Sequence, residues 1–328
     1  MGKELKAYIV SKKHHLFRRD FPEYQNLAEE YHRLGLCPKE RMTRRFELLS
    51  SLETPVLLPD EKICFLRTVR QIPDCFTEDE WAEIRQKHFI HELGYMSNLS
   101  PDYERVIRVG LQALYDDADE YGKRVINGVL DLTARYRAEA IKAGKAELAK
   151  VLGRVPRYGA TSFYEALQSF RILHYSLWLE GNYHNTVGRF DKYMYPYLKA
   201  DMEKGLYTRE TALEIVEDFF LSFNKDSDLY AGVQQGDNGQ SMVLGGMDEN
   251  GGEVFNLLSE LCLEASKNLL MIDPKINLRV SKNTPLRVYE LGSELTKAGL
   301  GFPQYSNDDV VIDGLVRLGC DLEDARDY

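Results

Sequence analysis

The residues in this chain that could do chemistry are few and widely spaced. Five cysteines, Cys37, Cys64, Cys75, Cys262 and Cys320, are scattered without CxxC spacing, so neither a zinc site nor a disulfide framework is indicated. Residues 236–239 (GDNG) read as a turn resembling half of a calcium loop, but further oxygen ligands do not follow in step and no metal is assigned. The pair Gly245-Gly246 closes a β-like run, where a strand end is expected to approach other backbone closely. No GK[ST] or GxGxxG accompanies it to make a phosphate cradle. Residues 301–328 (GFPQYSNDDVVIDGLVRLGCDLEDARDY) hold more. Pro303 and Ser306-Asn307 read as loop, and Val310, Val311, Ile312, Leu315, Val316 and Leu318 follow at helical spacing. Gly319 stops that helix, and Asp321 can cap another whose first turn carries Glu323 and Asp324. That second helix has barely begun at Tyr328, so the stretch reads as the interior of a longer sequence.

The elements that must position these residues fall into two halves. Residues 1–160 are mainly helical by pattern: 22–34 ending at Gly35, 39–52, a helix opened by the T-E-D-E capping box at Thr77, a long one starting at Pro101-Asp102, and a charged one around 129–152. From Thr161 the character changes. Residues 162–180 (SFYEALQSFRILHYSLWLE) are apolar on nearly every side, as a buried helix requires, and Gly181 breaks it. Thr208 caps an amphipathic helix; residues 242–247 and 276–280 are short strands, with helices at about 254–270 and 285–298. Helices alternating with short strands over 161–328 indicate an α/β barrel or doubly wound sheet.

Several runs resemble one family in the same order. GRFDKYMYP (188–196), QSMVLGG (240–246), INLRV (276–280) and NDDVVI…LEDARDY (307–328) are similar to segments of glycyl radical enzymes of the pyruvate formate-lyase type. The similarity runs from about residue 38 to 328, with its strong motifs after Ser162. It implies a helical N-terminal layer followed by the first part of a ten-stranded α/β barrel, incomplete at the C-terminus, with the whole chain as the N-terminal portion of one such domain. In that family a Gly-Cys pair follows the last motif within a few residues. The cysteine becomes a thiyl radical that takes hydrogen from the substrate, and a glycine near the far C-terminus stores the radical. The resemblance therefore implies no bound cofactor, a glycyl radical in the intact enzyme installed by a separate radical-SAM activase, and a catalytic cysteine and glycine domain beyond Tyr328. Cys320 is not that cysteine, because it precedes the motif.

Two departures touch the expected pocket. Where the family commonly shows GHxxPDYExVL, with the histidine reaching toward substrate, this chain reads SNLSPDYERVI, so Asn98 stands at the histidine position. Asparagine can donate and accept hydrogen bonds but does not titrate near neutrality. Its other reading is simply the start of a helix. Where the dehydratase and decarboxylase branches carry a serine-containing GHSISP, this chain has Asn182–Val187, placing His184 and Thr186 at the serine positions. Asn98, His184 and Thr186 are thus the substrate-binding candidates. GRFDKYMYP and LEDARDY favour the dehydratase/decarboxylase-like branch over the acetyltransferase, and the motif's Arg189, Asp191, Tyr193 and Tyr195 read as structural.

A net charge of −10 argues against a nucleic-acid surface, and no apolar run approaches the ~20 residues of a membrane span. With 44% hydrophobic residues and 11 prolines the chain has ample core, and its cysteine usage suits a reducing cytoplasm. The expected partners are a small-molecule substrate, the activase, further copies of the chain and a separately encoded C-terminal half. The rival readings are a non-catalytic degenerate paralogue acting as an interaction subunit, and a generic helical scaffold. Alone, this length of chain is expected to be inactive and to oligomerise, pair or fold poorly.

Overall fold

The computed structural model describes residues 2–87, 99–181, 184–226 and 239–328. The helices Pro38–Leu52 and Glu120–Lys142 pack along each other, burying Phe46 and Leu49 against Val129, Leu130 and Leu132. The capping box at Thr77 forms as expected: Glu80 accepts from the Thr77 amide at 2.9 Å while its own amide donates to the Thr77 hydroxyl. The long helix expected from residue 101 is instead two, Tyr103–Val109 and Leu111–Asp117. Gly110 parts them at φ 80°, and a Cβ there would lie 2.5 Å from the Arg157 carbonyl oxygen. The helix expected around 129–152 likewise divides into Glu120–Lys142 and Ala146–Arg154 at Gly144, φ 71°. Both glycines serve backbone conformations that a Cβ would strain.

Between residues 54 and 76 the chain has almost no regular structure, yet Ile63, Cys64, Phe65 and Leu66 are fully buried. Buried backbone groups outside helix or sheet need side-chain partners. They find them in Asp218, accepting from the Lys62 and Ile63 amides; Gln168, accepting from Cys64; Tyr136, donating to and accepting from Leu66; and Glu53, accepting from Thr68 and Val69. Most of these partners project from the surrounding helices. Central among them is Phe163–Leu179, buried on nearly every side as its composition predicts.

Four strands follow: β1 (Gly188–Arg189), β2 (Ser241–Gly245), β3 (Lys275–Val280) and β4 (Gln304–Asn307). They pair in parallel in the order β1-β2-β3-β4. Ser306-Asn307 reads as loop in the sequence; with Gln304 and Tyr305 it forms β4, because Asn277 to Val280 offer a parallel edge to pair with. Asn307 then caps the helix Asp308–Arg317, accepting from the Asp309 amide at 3.0 Å. Asp321 stands at the N-cap of Leu322–Arg326, but its side chain makes no capping bond. A strand order that always steps the same way, joined by right-handed crossovers, puts the crossover helices on one face. Met242, Leu244, Ile276, Leu278 and Val280 are buried in the core. The alternate residues Ser241, Val243, Lys275, Asn277 and Ser306 are half-buried and mostly polar, so among the described residues the sheet has a second, more open face, closed at its carboxyl end by the buried Gly245 and Arg279.

Candidate functional site

The loop that enters β1 lies at the amino edge of this sheet. The Thr186 amide donates to the Leu99 carbonyl at 2.8 Å, and its hydroxyl donates to the same oxygen at 3.2 Å. Val187 donates to the Ser241 carbonyl at 2.7 Å, so the loop also adds to β2. His184 is held at φ 61°, with its ring against Gly239: a Cβ on Gly239 would lie 2.4 Å from the ring. The loop around 184–186 and the segment just after position 98 are thereby neighbours, although 87 residues apart. Asn98 itself lies outside the described residues. The helix-starting role open to it belongs to Asp102, which accepts from the Arg105 amide at 3.0 Å. Residues 236–238 of the GDNG turn are also outside the described residues.

Behind this edge runs a buried hydrogen-bonded chain that sequence reasoning missed. Gln240 donates through its amide nitrogen to the Phe223 carbonyl at 3.0 Å, which turns its oxygen toward His174 Nε2 at 2.8 Å. The Trp178 indole N–H is directed at the same Nε2 at 3.2 Å, and His174 Nδ1 meets the Tyr103 hydroxyl at 2.7 Å. Burial lowers the His174 pKa to about 4, so the imidazole is neutral at physiological pH. The signal was visible in principle: a histidine amid the apolar run 163–179 has to find polar partners.

The carboxyl edge gathers the other motifs. Arg189, read from sequence as structural, donates to the Gly245 and Met247 carbonyls and to the Asp327 carboxylate, the last at 2.6 Å. Asp191 accepts from the Gly245 amide at 2.7 Å and from the Ser259 hydroxyl, linking three elements. Burial raises its pKa to about 6. Tyr193, also read as structural, packs against the core and donates to the Val187 carbonyl at 2.7 Å. Arg279, read from sequence only as part of a strand, is 1% exposed and grips the Asp308 carboxylate with two nitrogens, at 2.9 and 3.1 Å. It also donates to the carbonyls of Arg326 and Tyr328, both at 2.7 Å. Cys320 is exposed in the turn between the last two helices. Among the described residues no cluster of histidine, cysteine or carboxylate side chains is arranged to hold a metal ion.

Comparison with known proteins agrees with this geometry. A family model described as pyruvate formate lyase-like matches residues 65–328. The chain is 30% identical over 288 residues to (2S)-3-sulfopropanediol dehydratase of Klebsiella oxytoca, an alignment covering 75% of this chain and 34% of that protein. Among solved structures, one concerned with 1,2-propanediol dehydration in Roseburia inulinivorans superposes with a TM-score of 0.81 at 22% identity, covering 99% of this chain and 52% of that one. The glycerol-bound B12-independent glycerol dehydratase of Clostridium butyricum superposes with a TM-score of 0.78 at 22% identity, covering 100% and 53%. The chain thus spans about a third of that curated relative and about half of these solved structures. Its architecture is the pyruvate formate-lyase barrel fold, of which a helical layer and four parallel strands are seen here. With the family model covering most of its length and its motifs meeting at the two edges of one parallel sheet, the chain belongs to the pyruvate formate lyase-like family of glycyl radical enzymes, on its dehydratase-like side.

Proposed function

We propose that this chain forms the leading half of an anaerobic glycyl radical lyase that eliminates a group from a small hydroxylated organic substrate. The observation that carries the reading is the open, polar face of the sheet, flanked at its amino edge by the loop bearing His184 and Thr186. From Ser241 to Gly245 the face extends roughly 13 Å at the usual strand rise. That length suits a small molecule lying between the loop and the strands' carboxyl ends. The Thr186 hydroxyl has donated its proton to Leu99, so toward a substrate it can act only as an acceptor, which selects a hydroxyl or ammonium donor. His184 supplies a ring at the mouth of the same edge, and Asn98 is proposed to join them.

Hydrogen abstraction from an unactivated carbon requires a radical shielded from water and stray C–H bonds. On this proposal the radical resides on a cysteine and a glycine outside residues 1–328 and is generated by a radical-SAM activase. On this reading the 328-residue chain alone performs no turnover. The test is anaerobic incubation of the complete reading-frame product with its activase, S-adenosylmethionine and a reductant, against a panel of small diols and amino alcohols. Consumption of one of them by the complete product, and of none by residues 1–328 alone, is the expected result. Turnover by residues 1–328 alone, through Cys320 or any other side chain, overturns the reading. In the complete product Thr186→Val is expected to raise KM about tenfold, the effect of one lost hydrogen bond.

A further inference from the structure

Arg279 does more than fill a strand position. Its guanidinium meets four acceptor oxygens, two from Asp308 and the carbonyls of Arg326 and Tyr328, and its carbon lies 3.8 Å from the centre of the Tyr328 ring. The same ring's hydroxyl donates to Asp308 at 2.7 Å, so Tyr328 is held at its backbone, its face and its tip. Asp308 also accepts from the Met247 amide at 3.0 Å, tying in the end of β2. A second layer holds the preceding residue: Asp327 accepts from Arg189 and from Lys192, each at 2.6 Å. Gly246 gives the guanidinium its room, because a Cβ there would lie 2.5 Å from Arg279 Nε. A planar fork that bridges a carboxylate and two carbonyls is a task a lysine ammonium cannot reproduce.

We propose that Arg279 is a positioning residue that fixes the turn Leu322–Tyr328 on the carboxyl ends of β1–β3. Resting on the proposed function, it thereby sets the point at which the segment following that turn enters the open face. The clamp has a local reporter. The Ala325 amide donates to the Asp321 carbonyl at 2.8 Å and the Asp327 amide donates to Glu323 and Asp324, so both amides are protected while the turn is seated.

The test has two arms. Hydrogen exchange on the complete reading-frame product is measured for the wild type, Arg279→Lys and Tyr328→Phe. The clamp predicts exchange at Ala325 and Asp327 about tenfold faster or more in Arg279→Lys, and a smaller acceleration in Tyr328→Phe, with the helix Phe163–Leu179 unchanged. If Arg279→Lys fails to fold, Tyr328→Phe alone decides. Unaltered protection of the turn in every variant that folds overturns the clamp. In the second arm the complete reading-frame product is activated, and turnover per glycyl radical is compared for wild type and Tyr328→Phe. Positioning predicts an undiminished radical signal with turnover per radical reduced severalfold. Equal turnover per radical, with the turn loosened in the exchange arm, overturns the positioning role. A wild type that acquires no radical defeats the proposed function, and the exchange arm then judges the clamp by itself.

Discussion

At the scale of the residue, groups proposed to meet a substrate differ from groups that hold the sheet in place. Thr186 and His184 are the proposed binders; His174, Asp191 and Arg279 are bonded within the fold. His174 shows how burial sets a protonation state. Its folded pKa of about 4 lies below the unfolded value near 6.5, so the unfolded chain binds more protons between the two. Its contribution is therefore complete above pH 6.5 and is lost as pH falls toward 4, a difference of about 3 kcal/mol. An NMR titration should find the His174 ring signals unshifted from pH 8 down to 5, and a midpoint above 6 would contradict the hydrogen-bonded assignment. The motif residues were legible as a set but not in their roles. GRFD announced itself by its resemblance, while the partners of Arg189 and Asp191, more than 50 residues away, depend on strand pairing that no local pattern encodes. Arg279 escaped notice for the same reason, since an arginine in a short strand looks like surface until its neighbours are known.

At the scale of the element, periodicity and punctuation were sound guides. The buried helix Phe163–Leu179, the capped helix Arg209–Ser222 and the strands β2 and β3 sit within a few residues of their expected bounds. Apolar faces and capping residues are local, so they can be read locally. Where reading failed, a tertiary contact had overridden the pattern. β4 carries two exposed polar residues and a tyrosine, and becomes a strand only because β3 lies alongside. Gly110 interrupts a helical pattern because the chain at Arg157 crosses too closely for a side chain. Gly110→Ala should therefore cost about 2–4 kcal/mol, combining a strained positive φ with a clash against backbone that cannot swing aside. Chemical denaturation of the variant tests this, and a loss under 0.5 kcal/mol, the range of ordinary surface substitutions, would contradict the close approach.

At the scale of the whole molecule, the sheet has two edge strands among the described residues, β1 and β4. Among the described residues β4 pairs only with β3, and beside it Val310, Val316 and Leu318 are exposed, Leu318 to 84%. An unpaired parallel edge next to an apolar helix face seeks a partner. In sedimentation velocity residues 1–328 should self-associate with rising concentration, and Val310→Lys with Leu318→Glu should shift them toward monomer; a wild type that stays monomeric at every concentration would contradict this. The central claim is that these elements belong to an enzyme working through a stored carbon radical. Electron paramagnetic resonance addresses it most directly, recorded on the complete reading-frame product after anaerobic incubation with its radical-SAM activase. The account predicts the doublet of a glycyl radical, formed only when activase and S-adenosylmethionine are both present. A fully reduced, correctly folded protein that shows no such signal under those conditions would contradict it.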